Sequence, residues 1–201
     1  MCVHLYMQTM DFKKSVELAH NREALIGSAL ARHFNSSICF IEDSEKRRDY
    51  DFCLYSSRKG WASKIEMQDD YYITSMDQTL CVELFSYTKK DSKQKIHGKL
   101  YYTKADKLLF VLNNLKKIIL LDVKVIKDFI ILLEETGQLI LYEPKDHKAW
   151  HDRHDTMPTS CALLPIQECL LQDPKSCVLS FEQLSISKHY DKFKFTRDSD
   201  D

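Results

Sequence analysis

The chain has 201 residues, 44% of them hydrophobic, with 29 basic against 30 acidic side chains and a formal net charge of −1. Length and apolar content allow one globular domain over 1–201 with a substantial core. The balanced charge excludes a global positive field, so any nucleic-acid contact must come from a local basic groove. There are seven cysteines, and several, such as Cys39, Cys53 and Cys81, fall inside apolar strand patterns. They read as buried free thiols in a reducing compartment. The N-terminus lacks a basic stretch followed by a long apolar one, and apolar runs such as Phe129–Leu133 are too short to span a bilayer. The expectation is a soluble cytoplasmic protein without a membrane partner.

The first element is a helix over about Phe12 to Phe34. Val16, Ala19, Glu23, Ile26 and Leu30 recur at helical spacing and share one face, with Glu23 the odd member of the stripe. Asn35-Ser36-Ser37 ends it. Ile38–Ile41 reads as a short strand, 42–48 as a charged turn and Asp49–Tyr55 as a second strand. Arg58-Lys59-Gly60 gives a hairpin turn into Trp61–Gln68, and Leu80–Tyr87 alternates as a fourth strand. The polar stretch Lys89–Lys99 reads as a mobile loop. After a short turn or helix at 101–106, Lys107–Leu112 and Lys117–Leu121 form a hairpin about Asn113-Asn114. Asp122 caps a helix Val123–Glu134 that Gly137 ends. Gln138–Tyr142 is a further strand, 144–158 a polar connector, Ala162–Leu171 a short helix and Cys177–Phe181 a last strand. Residues 159–195 form a C-terminal extension packing on the core, and 196–201 a frayed, disordered acidic tail.

Two strands carry acids where alternation calls for a neutral surface. Asp51 stands between Tyr50 and Phe52, and Glu66 between Ile65 and Met67. Side chains alternate across a strand, so Asp51, Glu66 and Gln68 share one side while Phe52, Ile65 and Met67 pack on the other. Paired carboxylates repel unless a cation sits between them. Hard oxygen ligands of this kind suit Mg²⁺, with Mn²⁺ as the alternative.

The order of these segments resembles the PD-(D/E)xK nuclease superfamily, in particular small phage and prokaryotic nuclease-like proteins. The residues that carry the resemblance are Arg48-Asp49-Tyr50-Asp51-Phe52, Ile65-Glu66-Met67-Gln68-Asp69-Asp70, Cys81-Val82-Glu83-Leu84 and Tyr102-Thr103-Lys104-Ala105-Asp106. It spans the core 12–133. The resemblance implies an α/β fold with a restriction-endonuclease-like core, a central mixed β-sheet flanked by helices. It implies Asp51 and Glu66 as metal ligands, the Met67 carbonyl as a third, and Glu23 as the helix acid that orients water. Gln68 stands where the family usually has Lys. Glutamine keeps hydrogen-bonding reach but supplies no charge to balance a developing phosphorane. Lys64, two residues before Glu66, shares its face and is a candidate displaced cation.

The expected function is Mg²⁺-dependent hydrolysis of DNA phosphodiester bonds, with Asp51, Glu66, Glu23 and Gln68 as the catalytic set and Lys64, Lys93, Lys95 and Lys104 as substrate contacts. The alternative is a nuclease fold without catalysis that binds DNA or a protein partner. A homodimer is compatible with either. Glu83 reads as an outward-facing strand residue. His147, His151 and His154 have ligand types suited to Zn²⁺, but the segment lacks a paired Cys-x₂-Cys and reads as a solvated loop.

Overall fold

The computed structural model describes residues 12–41, 49–87, 95–142 and 159–190. Within them the chain is mixed α/β. Its first half contains α1 (Phe12–His33), β1 (Ser37–Phe40), β2 (Phe52–Ser56), β3 (Trp61–Asp70), β4 (Thr79–Tyr87), β5 (Lys95–His97) and α2 (Lys99–Tyr102). The rest contains β6 (Lys107–Leu112), β7 (Lys117–Asp122), α3 (Val123–Glu135), β8 (Ile140–Tyr142), β9 (Thr159–Pro165), α4 (Ile166–Gln172), β10 (Cys177–Ser180) and α5 (Ser187–Tyr190).

The central sheet is mixed and has six strands in the order β1-β2-β3-β6-β7-β10. Its parallel pair is β3–β6; the others are antiparallel. A second, antiparallel sheet runs β5-β4-β9-β8. A parallel pair needs a crossover, and the crossover from β3 to β6 contains β4, β5 and α2. That connection brings α2 back over the central sheet.

Alternation along the strands builds two cores. Phe52, Leu54, Ile65, Leu109, Val111 and Ile118 pack with Ile26, Ala29 and Leu30 of α1 and with Tyr190 of α5. Leu108, Phe110, Leu112, Ile119 and Leu121 face the opposite way, onto Leu80, Val82, Leu84, Ala162 and Leu164 of the second sheet and Ile126, Phe129 and Ile130 of α3. A one-residue slip of a strand sends every side chain to the other face. Slipping β3 would turn the Glu66 carboxylate into the apolar core that Ile65 fills, fully buried here, and an unpaired buried charge is far too costly for that register to persist. Burial of Phe52 and Ile65 thereby fixes the side on which Asp51 and Glu66 emerge.

Several expected features are present. Gly60 takes φ +64° in the β2–β3 turn, a conformation costly for residues with a Cβ. Asp122 caps α3 by accepting from the Lys124 N–H at 2.9 Å.

Others are corrected. The segment 162–171 is not one helix: Ala162–Pro165 is strand, because β9 pairs with both β4 and β8, and helix begins at Ile166. The hairpin after β6 is a four-residue loop, since Leu112 pairs with Lys117, and Lys116 takes the positive φ. The Asn113 amide is used otherwise, donating to the Asp70 and Val111 carbonyls. The 89–99 stretch is not a loop to its end, as 95–97 is strand and Lys99 opens α2. The C-terminal region supplies β9 to one sheet and β10 to the other. Of the cysteines, Cys39 is exposed, because β1 is an edge strand, and Cys53 and Cys81 are half-buried; all six described cysteines are free thiols. Among the described residues no helix is long and apolar enough to cross a membrane. The 42–48 turn, Lys93, the 144–158 connector with its three histidines, and the 196–201 tail lie outside the described residues.

Candidate active site

Asp51 immediately precedes β2, where its N–H donates to the Ile65 carbonyl at 2.9 Å. Its carboxylate Oδ2 accepts from the Met67 N–H at 2.7 Å. A strand residue points its N–H and C=O to the same neighbour. The Met67 carbonyl is therefore directed to the same sheet edge as Asp51, where β2 has ended.

Glu66 sits on the other face of β3 from Ile65 and is 3% exposed. Lys99 Nζ contacts its Oε1 as an ion pair, and its Oε2 has no hydrogen-bond partner among the described residues. Burial, and then the nearby Asp51 charge, push the Glu66 carboxyl up to about 8, against the pull of Lys99. Burial acts to lower the Lys99 ammonium, but the charges of Glu66 and Asp51, and then Glu83, outweigh it and hold its pKa above the usual lysine value. Gln68, on the Glu66 face, donates Nε2 to the Cys81 carbonyl of β4 at 2.7 Å.

The Thr103-Lys104-Ala105-Asp106 segment clamps both acid-bearing strands. The Lys104 N–H and Thr103 Oγ1 donate to the Asp49 carbonyl at 3.0 and 2.8 Å. Asp106 exchanges with Lys64: its N–H donates to the Lys64 carbonyl and its Oδ2 accepts from the Lys64 N–H, both at 2.8 Å.

The structure thus brings together Asp51, Glu66, Met67 and Gln68. Glu23 is half-buried on α1, the helix that covers the Ile65 face, whereas Glu66 and Gln68 face the second sheet. The ammonium of Lys64 lies 5.3 Å from the centre of the Tyr50 ring, and the cation paired with Glu66 is Lys99. Lys104 is ion-paired with Asp49 at 2.8 Å, and Lys95 opens β5.

Two participants escape the sequence pattern. Lys99 is the cation on Glu66. Its placement depends on Gly98, whose N–H donates to the Leu84 carbonyl at 2.5 Å. A Cβ at Gly98 would lie 2.6 Å from the Leu84 carbonyl carbon and 2.8 Å from Glu83 Cγ, so the close approach of α2 to β4 requires glycine. A glycine inside a lysine-rich run was the available signal. Glu83 is the second. It is not a plain outward-facing residue, since it packs against Gly98 and its charge reaches Lys99.

Around Lys99 stand three carboxylates, Asp51, Glu66 and Glu83, so acid exceeds base locally. Among the described residues no three His, Cys, Asp or Glu side chains converge into a metal cage. Mg²⁺ requires less: one or two carboxylates, with water and substrate phosphate completing its shell. The Asp51–Glu66 pair, a buried carboxylate oxygen without a donor and the Met67 carbonyl at the same edge fit that requirement. A depression of about 360 Å³ lined by Thr103, Asp106, Asp122 and Lys124 lies beside the clamp and includes none of these groups.

Comparison with family models, curated proteins and solved structures returned no match.

Proposed function

We propose that the protein is a Mg²⁺-dependent DNA nuclease on a restriction-endonuclease-like core, with Mn²⁺ able to substitute. The observation that supports this most is the convergence of Asp51 and Glu66 beneath a lysine ammonium contributed by another element. The order of an Asp-bearing segment and a Glu strand adds to it, whereas α1 with Glu23 covers the other face of the sheet.

In this reading Asp51 and Glu66, with the Met67 carbonyl, hold the ion. When bound, the ion lowers the pKa of a water and offsets charge on the scissile phosphate. Asp51 is oriented by the Met67 N–H. Gln68, with Nε2 committed to Cys81, offers its Oε1 to the attacking water. Lys99 supplies the positive charge that glutamine at 68 cannot. Its half-exposed side chain reaches a phosphate arriving from solvent. Hydrolysis is direct, without a covalent protein intermediate.

The decisive assay incubates the protein with single-stranded, double-stranded and branched DNA in Mg²⁺ or Mn²⁺. Cleavage should appear with metal and vanish in Glu66→Gln. Lys99→Gln should cost about 10²-fold or more, as removal of one stabilising group does elsewhere. Gln68→Lys should preserve or modestly raise the rate, since one ammonium is already present. Absence of cleavage on every substrate would refute hydrolysis. The binding-module reading would then stand, favoured by Lys99 already occupying Glu66.

A further inference from the structure

Phe85 of β4, His97 of β5 and Tyr101 of α2 bring three rings together. Their centroids are 6.0 Å apart for Phe85–His97, 5.8 Å for Phe85–Tyr101 and 4.6 Å for His97–Tyr101. The interplanar angles run from 31° to 53°. Phe85 packs partly onto the core. Tyr101 is 45% exposed, and His97 is exposed as well. The neighbouring Tyr102 is 50% exposed. A core cluster would bury these rings. This one is anchored at Phe85 and opens outward.

We propose that Phe85, His97 and Tyr101 form a stacking platform for an unpaired base of single-stranded DNA. This rests on the reading of the site as acting on DNA. Every base has a π-face, so an open aromatic surface holds single strands with little sequence preference. A base inside a duplex is stacked on its neighbours and has no free face to offer. The platform is built into the site's own elements. Tyr101 is two residues from Lys99 on the same helical turn, about 3 Å along the helix axis. The two side chains leave α2 in different directions, so the platform adjoins the site through the short helix itself, whose first residue is paired with Glu66.

The test is metal-free binding at low salt, read by fluorescence anisotropy with a labelled oligothymidylate and a blunt duplex of equal length. The wild type should bind the single strand more tightly. Tyr101→Ala should weaken single-strand binding about tenfold and leave duplex binding unchanged, and Tyr101→Phe should bind as wild type. Tyr101→Leu keeps the apolar volume without the π-face, so it should show the same loss with an unchanged melting temperature. The platform is overturned if the wild type does not bind the single strand. It is equally overturned if Tyr101→Ala and Tyr101→Leu bind it normally, or if both lose single strand and duplex alike. Tyr101-dependent binding without cleavage in any metal would refute hydrolysis and keep the platform. Cleavage with no Tyr101 dependence would do the reverse.

Discussion

Strand β3 carries two carboxylates three residues apart, Glu66 buried and Asp69 half-buried, and they have different surroundings. Asp69 faces α1. Arg22 approaches it at 3.1 Å, the Tyr190 hydroxyl donates to it at 3.2 Å and the Asn113 amide at 3.5 Å. Glu66 faces the second sheet with one ammonium, a like charge beside it and an oxygen without a donor. Burial raises the pKa of both. At Asp69 Arg22 opposes it first, then Asn113 and Tyr190, with the Asp70 charge a smaller addition; at Glu66 the Asp51 charge adds to it first and Lys99 opposes. A carboxylate that the fold supplies with donors holds structure together. One that the fold leaves short of donors beside a second acid is arranged for a guest.

The largest expected effect breaks the structural side. Removing one partner of a buried ion pair strands the other charge at about 3–5 kcal/mol. Arg22 is 4% exposed, so Arg22→Ala should lower urea-unfolding stability by that amount, a large share of a domain's total. Glu66→Gln replaces a carboxyl whose ionisation the fold opposes, so it should be close to neutral near pH 7 and stabilising above about pH 8. Equal destabilisation by the two variants would erase the distinction between the carboxylates.

A second test uses pH. The Glu66 carboxyl is raised from 4.5 to about 8. A raised folded pKa means that folding favours the protonated form. Its contribution is full below about pH 4.5 and is lost as pH rises through about 8. In EDTA, wild-type stability should therefore fall between pH 5 and 9 by an amount on the order of a few kcal/mol. Glu66→Gln should flatten that slope in the same urea titrations. Parallel slopes would mean that Lys99 already neutralises Glu66 across the range.

How much of this was legible follows from the same strand. Alternation around Phe52, Ile65 and Met67 is a local signal, and it placed Asp51, Glu66 and Gln68 on one side. Capping at Asp122 and the glycine at 60 were readable for the same reason. Lys99 was not, because its role depends on a crossover that returns α2 over β3, a long-range event that polar composition hides. The assignment of 162–171 to one helix failed because the apolar run Ala162–Leu164 fits either structure, and pairing with β4 and β8 decided it. The second sheet was missed as a separate layer, since β4 alternates the same way whichever sheet it joins. Arg22, the buried partner of Asp69, carried no sequence signal of its own, because its pairing joins α1 to a strand far along the chain.

The metal response sharpens the site side at a smaller scale. A ligand that binds only the native state stabilises it by RT ln(1 + [L]/Kd), about 2.7 kcal/mol at a hundredfold excess over Kd. Thermal melts at pH 8 with saturating Mg²⁺ should show a gain of about 1–3 kcal/mol for the wild type. Asp51→Asn should lose the gain while its amide oxygen still accepts from the Met67 N–H. An undiminished gain in Asp51→Asn and Glu66→Gln would move the ion elsewhere.

The smallest effect separates frame from site most cleanly. Tyr190 reaches back from α5, where its hydroxyl donates to Asn113 Oδ1 at 2.5 Å as well as to Asp69. Its ring packs against Phe181 with centroids 4.5 Å apart. Burial, reinforced by the Asp69 charge, holds its pKa far above the usual tyrosine value, so it stays a neutral donor across the working range. Tyr190→Phe keeps the ring and deletes only the hydroxyl. The loss should be about 1 kcal/mol, the net worth of a typical hydrogen bond. Asp69 retains Arg22 and Asn113, so the variant should stay folded, and its metal-induced shift and pH slope should match the wild type. A changed metal response in Tyr190→Phe would show that the two faces of β3 are coupled, and the division between a satisfied frame and an unsatisfied site would have to be drawn through the strand as a whole.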